Sequence, residues 1–247
     1  MHRTHVDGRA VSHHAVRESP GDLLARIVPA SASAHVRTAA DLSDHIAIHG
    51  AVGHGTLPMP PAFGHLVPAG ALERGRIYCC TGDAPLSLLF SLVAPATRQG
   101  SWFAMVDMPH AGLQAAREHG VALHRTVCAS SGNPAAWPLV VGALLDGIDI
   151  VAVSSPTCRA PEVRRLAARV KASGAVLFIT GGAGAFTPDV VLHGRTVSWN
   201  FDLHAHSRRV DVSASGRRVH GERTRLVHLP GVEGGVESTH ECTTGGS

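Results

Sequence analysis

The sequence predicts an α/β protein in which a mainly parallel sheet is flanked by helices and ends in antiparallel hairpin strands. Short apolar runs alternate with helical segments between residues 76 and 180, a pattern typical of parallel strands that are covered on both faces. A strand, a glycine turn and a helix follow one another in Arg74–Val93. After Gly181-Gly-Ala-Gly184 the helices stop and strands follow strands.

Composition and charge are those of one α/β domain with less ordered ends. The chain has 247 residues, of which 44% are hydrophobic, enough for one substantial core. Its formal charge of +3 is too small to indicate nucleic-acid binding over the whole surface. We expect a flexible N-terminal region with short helices over 1–56, a core over 57–230 and a disordered tail over 231–247.

Cysteine spacing and apolar run length argue against a metal, disulfide or membrane protein. The five cysteines show no C-x-x-C spacing. The longest apolar stretch, Ala84–Ala96, is too short to span a bilayer. His204 and His206 could share a metal ion, but no third ligand lies at a useful spacing, so we expect no metal site. The sequence therefore predicts a cytoplasmic protein without membrane contact.

The elements of the core follow from apolar periodicity and glycine stops. Gly120 and Gly174 end the second and fourth predicted helices. Five strands are predicted at Arg76–Thr81, Ser101–Asp107, Arg125–Ala129, Gly147–Ser154 and Ala175–Thr180. Four helices are predicted at Leu86–Val93, Ala111–His119, Ala136–Leu145 and Pro161–Ala172. The hairpin strands are predicted at Thr196–His204, Arg209–Ser215 and Thr224–Leu229.

The glycine turn of Arg74–Val93 has the outline of a phosphate-binding loop without its chemistry. Such a loop follows Gly-x-x-x-x-Gly-Lys-Ser/Thr, because backbone N–H groups and a lysine hold the phosphates and a hydroxyl holds magnesium. Aligned from Gly82, the sequence has Ser87, Leu88 and Leu89 at the second glycine, the lysine and the hydroxyl. An ordinary strand-to-helix turn explains these residues as well.

Three segments resemble the RecA-type ATPase core. Val106-Asp-Met-Pro-His-Ala111 is similar to the second-strand motif that carries the catalytic glutamate of RecA, and Glu118-His-Gly-Val-Ala-Leu123 resembles the stretch that follows it. Ile148–Ser154 falls where the magnesium-binding Walker B strand stands. The resemblance covers roughly residues 70–230 and implies a RecA-like core.

The departures from RecA lie at the positions that hydrolysis needs. Leu88 stands at the lysine position, Pro109 at the glutamate position and Ser154 at the Walker B aspartate position. Together these replacements remove phosphate charge compensation, the water-positioning carboxylate and the metal ligand. We therefore expect a protein that is not an enzyme and holds no cofactor.

Further segments resemble the ImuA-prime branch of the accessory proteins of actinobacterial mutasomes. They are Pro58–Pro68, Leu72–Ile77, Gly100–Trp102, Leu166–Leu177, Arg208–Val212 and Arg223–Pro230. The resemblance implies an adaptor in SOS mutagenesis and translesion synthesis. Its partner would be an inactive Y-family polymerase homologue of the ImuB type, with RecA or an error-prone replicative-type polymerase as further partners, and it would associate with the nucleoid during DNA damage.

Two other functions stay open at this point. One is a RecA paralogue in DNA repair that binds ATP through an altered loop. The other is a cell-division inhibitor of the SulA kind, which would bind the division GTPase.

The resemblance also implies where a partner would dock. In RecA-type folds the third strand lies at the sheet edge and receives the N-terminal element of a neighbouring protomer. The corresponding residues are Val127, Cys128 and Ala129 of the strand and Leu139 and Ala143 of the following helix.

Arginines in the hairpin region are candidates for contact with phosphate or with an acidic partner. They include Arg208, Arg209, Arg217 and Arg218. A solvated sheet edge that is kept soluble by charge explains them equally well. With six Phe, three Trp and one Tyr in the chain, stacking platforms for single strands are few, so any DNA contact is expected to be weak.

Overall fold

The computed structural model describes residues 55–154, 156, 158–201, 205–221, 223–231 and 236–238. Most of the predicted N-terminal region 1–56 lies outside these residues. Eleven strands are described: β1 Thr56–Leu57, β2 Leu72–Glu73, β3 Ile77–Gly82, β4 Phe103–Val106, β5 Thr126–Ala129, β6 Ile150–Ser154, β7 Val176–Thr180, β8 Val190–Phe201, β9 Ala205–Ser215, β10 Arg223–Leu229 and β11 Glu237–Ser238. The α-helices are α1 Pro85–Arg98, α2 Leu113–Glu118, α3 Trp137–Leu145 and α4 Ala160–Ser173, and Pro61–Leu66 and Leu123–Arg125 form 3₁₀ helices.

Nine strands form one sheet in the order β11-β10-β9-β8-β3-β7-β6-β4-β5. The strands from β8 to β5 in this order are parallel, whereas β9, β10 and β11 continue the sheet in antiparallel fashion. The predicted fold class is therefore confirmed: the sheet is mainly parallel, is flanked by helices and ends in hairpin strands. This arrangement is compatible with a RecA-like core.

The core forms where the apolar runs predict it. Every residue of β4 and β7 is buried, as expected for central strands covered on both faces. Helix α1 packs its buried leucines against β3 and the hairpin strands, together with Phe63 and Leu66 of the first 3₁₀ helix. Helix α4 ends at Gly174, which adopts the left-handed conformation (φ 72°) of a helix stop.

The largest difference from the predicted elements concerns β8. The strand begins at Val190 rather than at Thr196, because Val190–Gly194 pairs in parallel with Tyr78–Gly82 of β3. Because the segment Gly181–Pro188 before it is rich in glycine and contains a proline, the sequence pattern did not indicate that the strand starts at Val190. The antiparallel pair of β1 with β2 was not predicted either. Strand β11 lies inside the segment 231–247, for which disorder was predicted.

Among the described residues, no helix is both long and apolar enough to cross a membrane.

Candidate functional site

The turn between β3 and α1 brings two strands into backbone contact. Gly82 has a φ of 91°, and a Cβ placed there would lie 2.0 Å from the carbonyl oxygen of Gly194 in β8. No side chain fits at this distance, so the position requires glycine. The glycine that was aligned with a phosphate loop thus serves the close approach of β3 and β8.

Asp83 turns the loop towards β8. Its carboxylate accepts hydrogen bonds from the Thr196 N–H at 2.9 and 3.0 Å and from the Thr196 hydroxyl at 2.8 Å. The Asp83 N–H donates to the Gly194 carbonyl at 3.0 Å. Slight burial opposes ionisation, but the Thr196 hydrogen bonds and the charges of Arg208 and His193 lower the pKa of Asp83 below its ordinary value. The turn between β3 and α1 therefore carries a negatively charged side chain, the carboxylate of Asp83.

Arg208 of β9 reaches the same loop from the hairpin. Its Nη2 donates to Ser87 Oγ at 2.6 Å and its Nη1 to the Asp83 carbonyl at 3.4 Å. The guanidinium also lies over the Trp199 ring, 5.0 Å from its centroid. We call Gly82, Asp83, Ser87, Thr196 and Arg208 the loop cluster. The only cationic side chain of the loop cluster, Arg208 of β9, is already hydrogen-bonded to Ser87 and to the Asp83 carbonyl.

The lysine position of a phosphate loop is part of the hydrophobic core here. Leu88 and Leu89 both have a relative exposure of 0%. A Cβ at Gly194 would lie 3.0 Å from Leu88 Cδ1, which shows how closely α1 packs on β8. Pro109 and Ser154 are exposed, Pro109 in a turn and Ser154 at the end of β6. None of the three replaced positions carries a charge that could act on a phosphate.

A second cluster lies at the carboxyl ends of β4, β5 and β6. Asp107 has a φ of 50°, rare for a residue with a side chain. Its carboxylate accepts hydrogen bonds from Ser130 Oγ at 3.2 Å, from the Ser131 N–H at 2.9 Å and from the Ser131 hydroxyl. With Ser154 these residues line a cavity of about 360 Å³. Asp107 therefore links the loop after β4 to the loop after β5.

The strand predicted to dock a partner is at an end of the described sheet. One side of β5 pairs with β4, and no described strand pairs with its other side. Cys128 is exposed, whereas Val127 and Ala129 are half-buried. Leu139 of α3 is 73% exposed, and Ala143, one turn later on the same helix face, is also exposed. We call these five residues the edge surface; its strand and helix are neighbours in the chain, and α3 packs on α4 and β6.

The four candidate arginines do not form one surface. Arg208 belongs to the loop cluster, and Arg209, its neighbour on β9, points to the opposite face of the sheet. Arg217 Nη2 pairs with Asp189 at 2.9 Å, and Arg218 Nη2 pairs with Glu73 at 3.2 Å. Contact with phosphate or an acidic partner stays a prediction for each arginine separately.

The sequence did not predict that Asp83, Thr196 and Trp199 contribute to the contacts at the β3–α1 turn. Asp83 is next to Gly82 in the chain, so an acid at a phosphate loop was a visible signal against anion binding. Thr196 and Trp199 gave no such signal, because only strand pairing brings them to the loop. Within the described residues no group of three or more His, Cys, Asp and Glu side chains could hold a metal ion. The side chains of His204 and His206 fall outside that description.

Comparison with known proteins shows similarity over the middle of the chain. The family model described as the MT3502 N-terminal domain matches residues 65–185, which include the β3–α1 turn and the edge surface but not the hairpin strands. A protein of Mycobacterium tuberculosis (strain ATCC 25618 / H37Rv), described as the uncharacterized protein Rv3395c, is 38% identical over 128 residues. The match spans 50% of this chain and 61% of that protein.

Proposed function

We propose that the chain is a non-catalytic RecA-fold adaptor of the ImuA-prime type in damage-induced translesion synthesis and mutagenesis. The observation that carries this proposal is the loop cluster. It stands where a RecA-type ATPase binds phosphate, and Asp83 and Arg208 bind other protein groups there.

The geometry of the loop cluster opposes nucleotide chemistry in two ways. The carboxylate of Asp83 repels a phosphate that approaches the turn. Arg208, the one cation of the cluster, already donates to Ser87 and to the Asp83 carbonyl. A triphosphate would have to break these bonds and would gain neither a lysine nor a metal ligand in return.

The edge surface supports a binding role. Partners add to a sheet through the unpaired hydrogen-bonding groups of an edge strand, and apolar side chains beside the strand add contact area. Strand β5 offers such an edge among the described strands, and α3 exposes Leu139 nearby in the chain. We place the partner on Val127, Cys128, Ala129, Leu139 and Ala143.

The proposed partner is an inactive Y-family polymerase homologue of the ImuB type. RecA or an error-prone replicative-type polymerase would join the same assembly. The proposed location is the cytoplasm, with association with the nucleoid during DNA damage. These partners are inferred from the resemblance to ImuA-prime proteins of actinobacterial mutasomes. The similarity to a mycobacterial protein is compatible with an actinobacterial source.

An unbiased pull-down from cells treated with a DNA-damaging agent tests the proposal. Tagged full chain is captured and co-purifying proteins are identified by mass spectrometry, with untreated cells as the control. We expect the Y-family homologue to be enriched, with or without a replicative-type polymerase. Enrichment of the division GTPase without a polymerase would instead support the SulA-like function. Nucleotide binding that is lost when residues 82–89 are mutated would support the RecA paralogue.

A further inference from the structure

A basic cleft of about 520 Å³ lies between α4, the start of β3 and the segment before β8. It shares no residue with the loop cluster or the edge surface. Its volume falls in the range of about 300–1,000 Å³ that small-molecule sites have. Its lining residues include Arg76, Arg164, Ala167, Lys171, Asp189 and Arg217.

The charges of the cleft are unbalanced. Four cations line it, namely Arg76, Arg164, Lys171 and Arg217, against the single lining carboxylate of Asp189. Arg76 also pairs with Glu73 just outside the lining at 3.2 Å, so the unpaired positive charge of the cleft comes from Arg164 and Lys171. Lys171 is also the only lysine in the chain. Four cations around one concave space attract anions and repel one another. A ligand with several negative charges would relieve that repulsion.

Both carboxylate oxygens of Asp189, the one acidic residue that lines the cleft, accept hydrogen bonds from other protein groups. Asp189 is 6% exposed, and one of its carboxylate oxygens accepts the Ile77 N–H at 3.0 Å. The other oxygen accepts from Arg217 Nη2 at 2.9 Å. Because Asp189 anchors Arg217 in this way, the guanidinium is held at the cleft with its remaining N–H groups available to a ligand.

Helix α4 supplies the other side of the cleft. Arg164 and Lys171 are two turns apart, so they project from the same face of the helix. Ala167 lies between them on that face and leaves room for a ligand. Both cations are exposed, and neither has an ion-pair partner among the described residues. They are therefore available for a bound anion.

We propose that this cleft binds a phosphate-bearing ligand through Arg164, Lys171, Arg217 and Arg76. Guanidinium groups match the geometry of phosphate oxygens and a lysine adds a point charge, so this set of side chains favours phosphate over a monovalent carboxylate. The phosphates belong either to a small molecule or to a nucleic-acid backbone. The proposal goes beyond the adaptor function, because the partner docks elsewhere.

Isothermal titration calorimetry of the full chain tests the proposal with two probes, inorganic pyrophosphate and a short oligothymidylate. The cleft variant is Arg164→Ala/Lys171→Ala. Its matched control, Arg117→Ala/Arg165→Ala, removes the same charge from exposed arginines outside the cleft. Ala167→Leu fills the floor of the cleft without changing charge. Thermal melts check that every variant is folded.

We expect at least one probe to bind the unaltered chain. The double cleft variant and Ala167→Leu should each weaken that binding by about tenfold or more, and the control by no more than about twofold. Pyrophosphate binding would identify a small-molecule site, and binding of the oligonucleotide alone a backbone site. The proposal is overturned if neither probe binds, or if the control weakens binding as much as the cleft variants do.

Discussion

Arg208 Nη2 donates a hydrogen bond of 2.6 Å to Ser87 Oγ, which joins the second hairpin strand to the first turn of α1. The two residues are 121 positions apart in the chain. The bond lies at the turn where a RecA-type ATPase would hold phosphate. The hairpin is thus hydrogen-bonded to the β3–α1 turn within the same chain, and this contact can be tested by substitution.

Arg208→Ala should lower the free energy of unfolding by about 1–3 kcal/mol, because it removes hydrogen bonds to Ser87 and Asp83 and the contact with Trp199. Urea denaturation measures the change. Arg195→Ala is the matched control: this arginine of β8 is 68% exposed and pairs with Asp211 at 3.3 Å. Such a surface pair contributes less than about 1 kcal/mol. Equal losses in both variants would contradict a structural role for Arg208.

Gly82→Ala should destabilise the protein more than Gly100→Ala. Both glycines have positive φ, 91° and 101°, so both substitutions strain the backbone. A Cβ at Gly100 meets no heavy atom within 4 Å, whereas one at Gly82 meets the Gly194 carbonyl at 2.0 Å. Forcing β3 and β8 apart should cost about 1–3 kcal/mol beyond the strain that both variants share. Equal unfolding free energies would show that the two strands separate easily.

Leu88→Lys restores the lysine of a phosphate loop in sequence but should not restore nucleotide binding. The position has 0% exposure, so the variant buries an ammonium group in the core and should lose several kcal/mol (about 3 or more) of stability. Leu88→Met, which keeps an apolar side chain, should lose less than about 1.5 kcal/mol. Fluorescent-ATP titration of folded protein checks binding. A stable Leu88→Lys variant that binds ATP would contradict the proposal that the β3–α1 turn does not bind nucleotide.

His119 should make stability fall as the pH drops below neutral. Burial first, and then the charge of Arg208, lower its pKa to about 4, while Glu118 opposes the shift. Because the unfolded value is about 6.5, the unfolded chain takes up the proton first, and stability is lost between about pH 6.5 and 4. The loss should be about 2 kcal/mol at pH 5.

Urea denaturation at pH 7 and pH 5 measures that loss, and His119→Gln provides the comparison. The variant loses the titrating ring that hydrogen-bonds Ser91 at 2.9 Å. Its stability should therefore change less between the two pH values than that of the unaltered chain. An identical pH dependence would mean that His119 takes up its proton in the folded protein as readily as in the unfolded one.

The parallel half of the fold could be predicted from sequence because each of its elements is locally consistent. The strands β3, β4, β6 and β7 are apolar runs. In α4 the Glu162 carboxylate accepts the N–H of the N-cap residue Arg159, and Gly174 ends the helix. The start of β8 could not be predicted in this way. Val190 and Leu192 are buried and alternate with more exposed neighbours, but a run this short does not predict its partner, and its pairing with β3 spans more than a hundred residues.

The candidate site was predicted only in outline. Gly82, Leu88, Pro109 and Ser154 can be aligned with RecA motifs, so the differences from RecA at these positions are visible in the sequence. The hydrogen bonds from Thr196 to Asp83 and from Arg208 to Ser87 depend on the pairing of β8 with β3 and with β9, which brings these residues to the loop. Exposure of Leu139 likewise depends on which face of α3 packs on the sheet. Local patterns do not carry such long-range information.

Direct binding of the purified chain to an ImuB-type polymerase homologue tests the adaptor account most directly. The unaltered chain should bind, and Leu139→Glu should weaken binding by about tenfold or more, because it puts a charge on an exposed apolar side chain of the edge surface. Val197→Glu, at a 46% exposed position of β8, should change affinity by no more than about twofold. No binding by the unaltered chain, or equal weakening by both variants, would contradict the account.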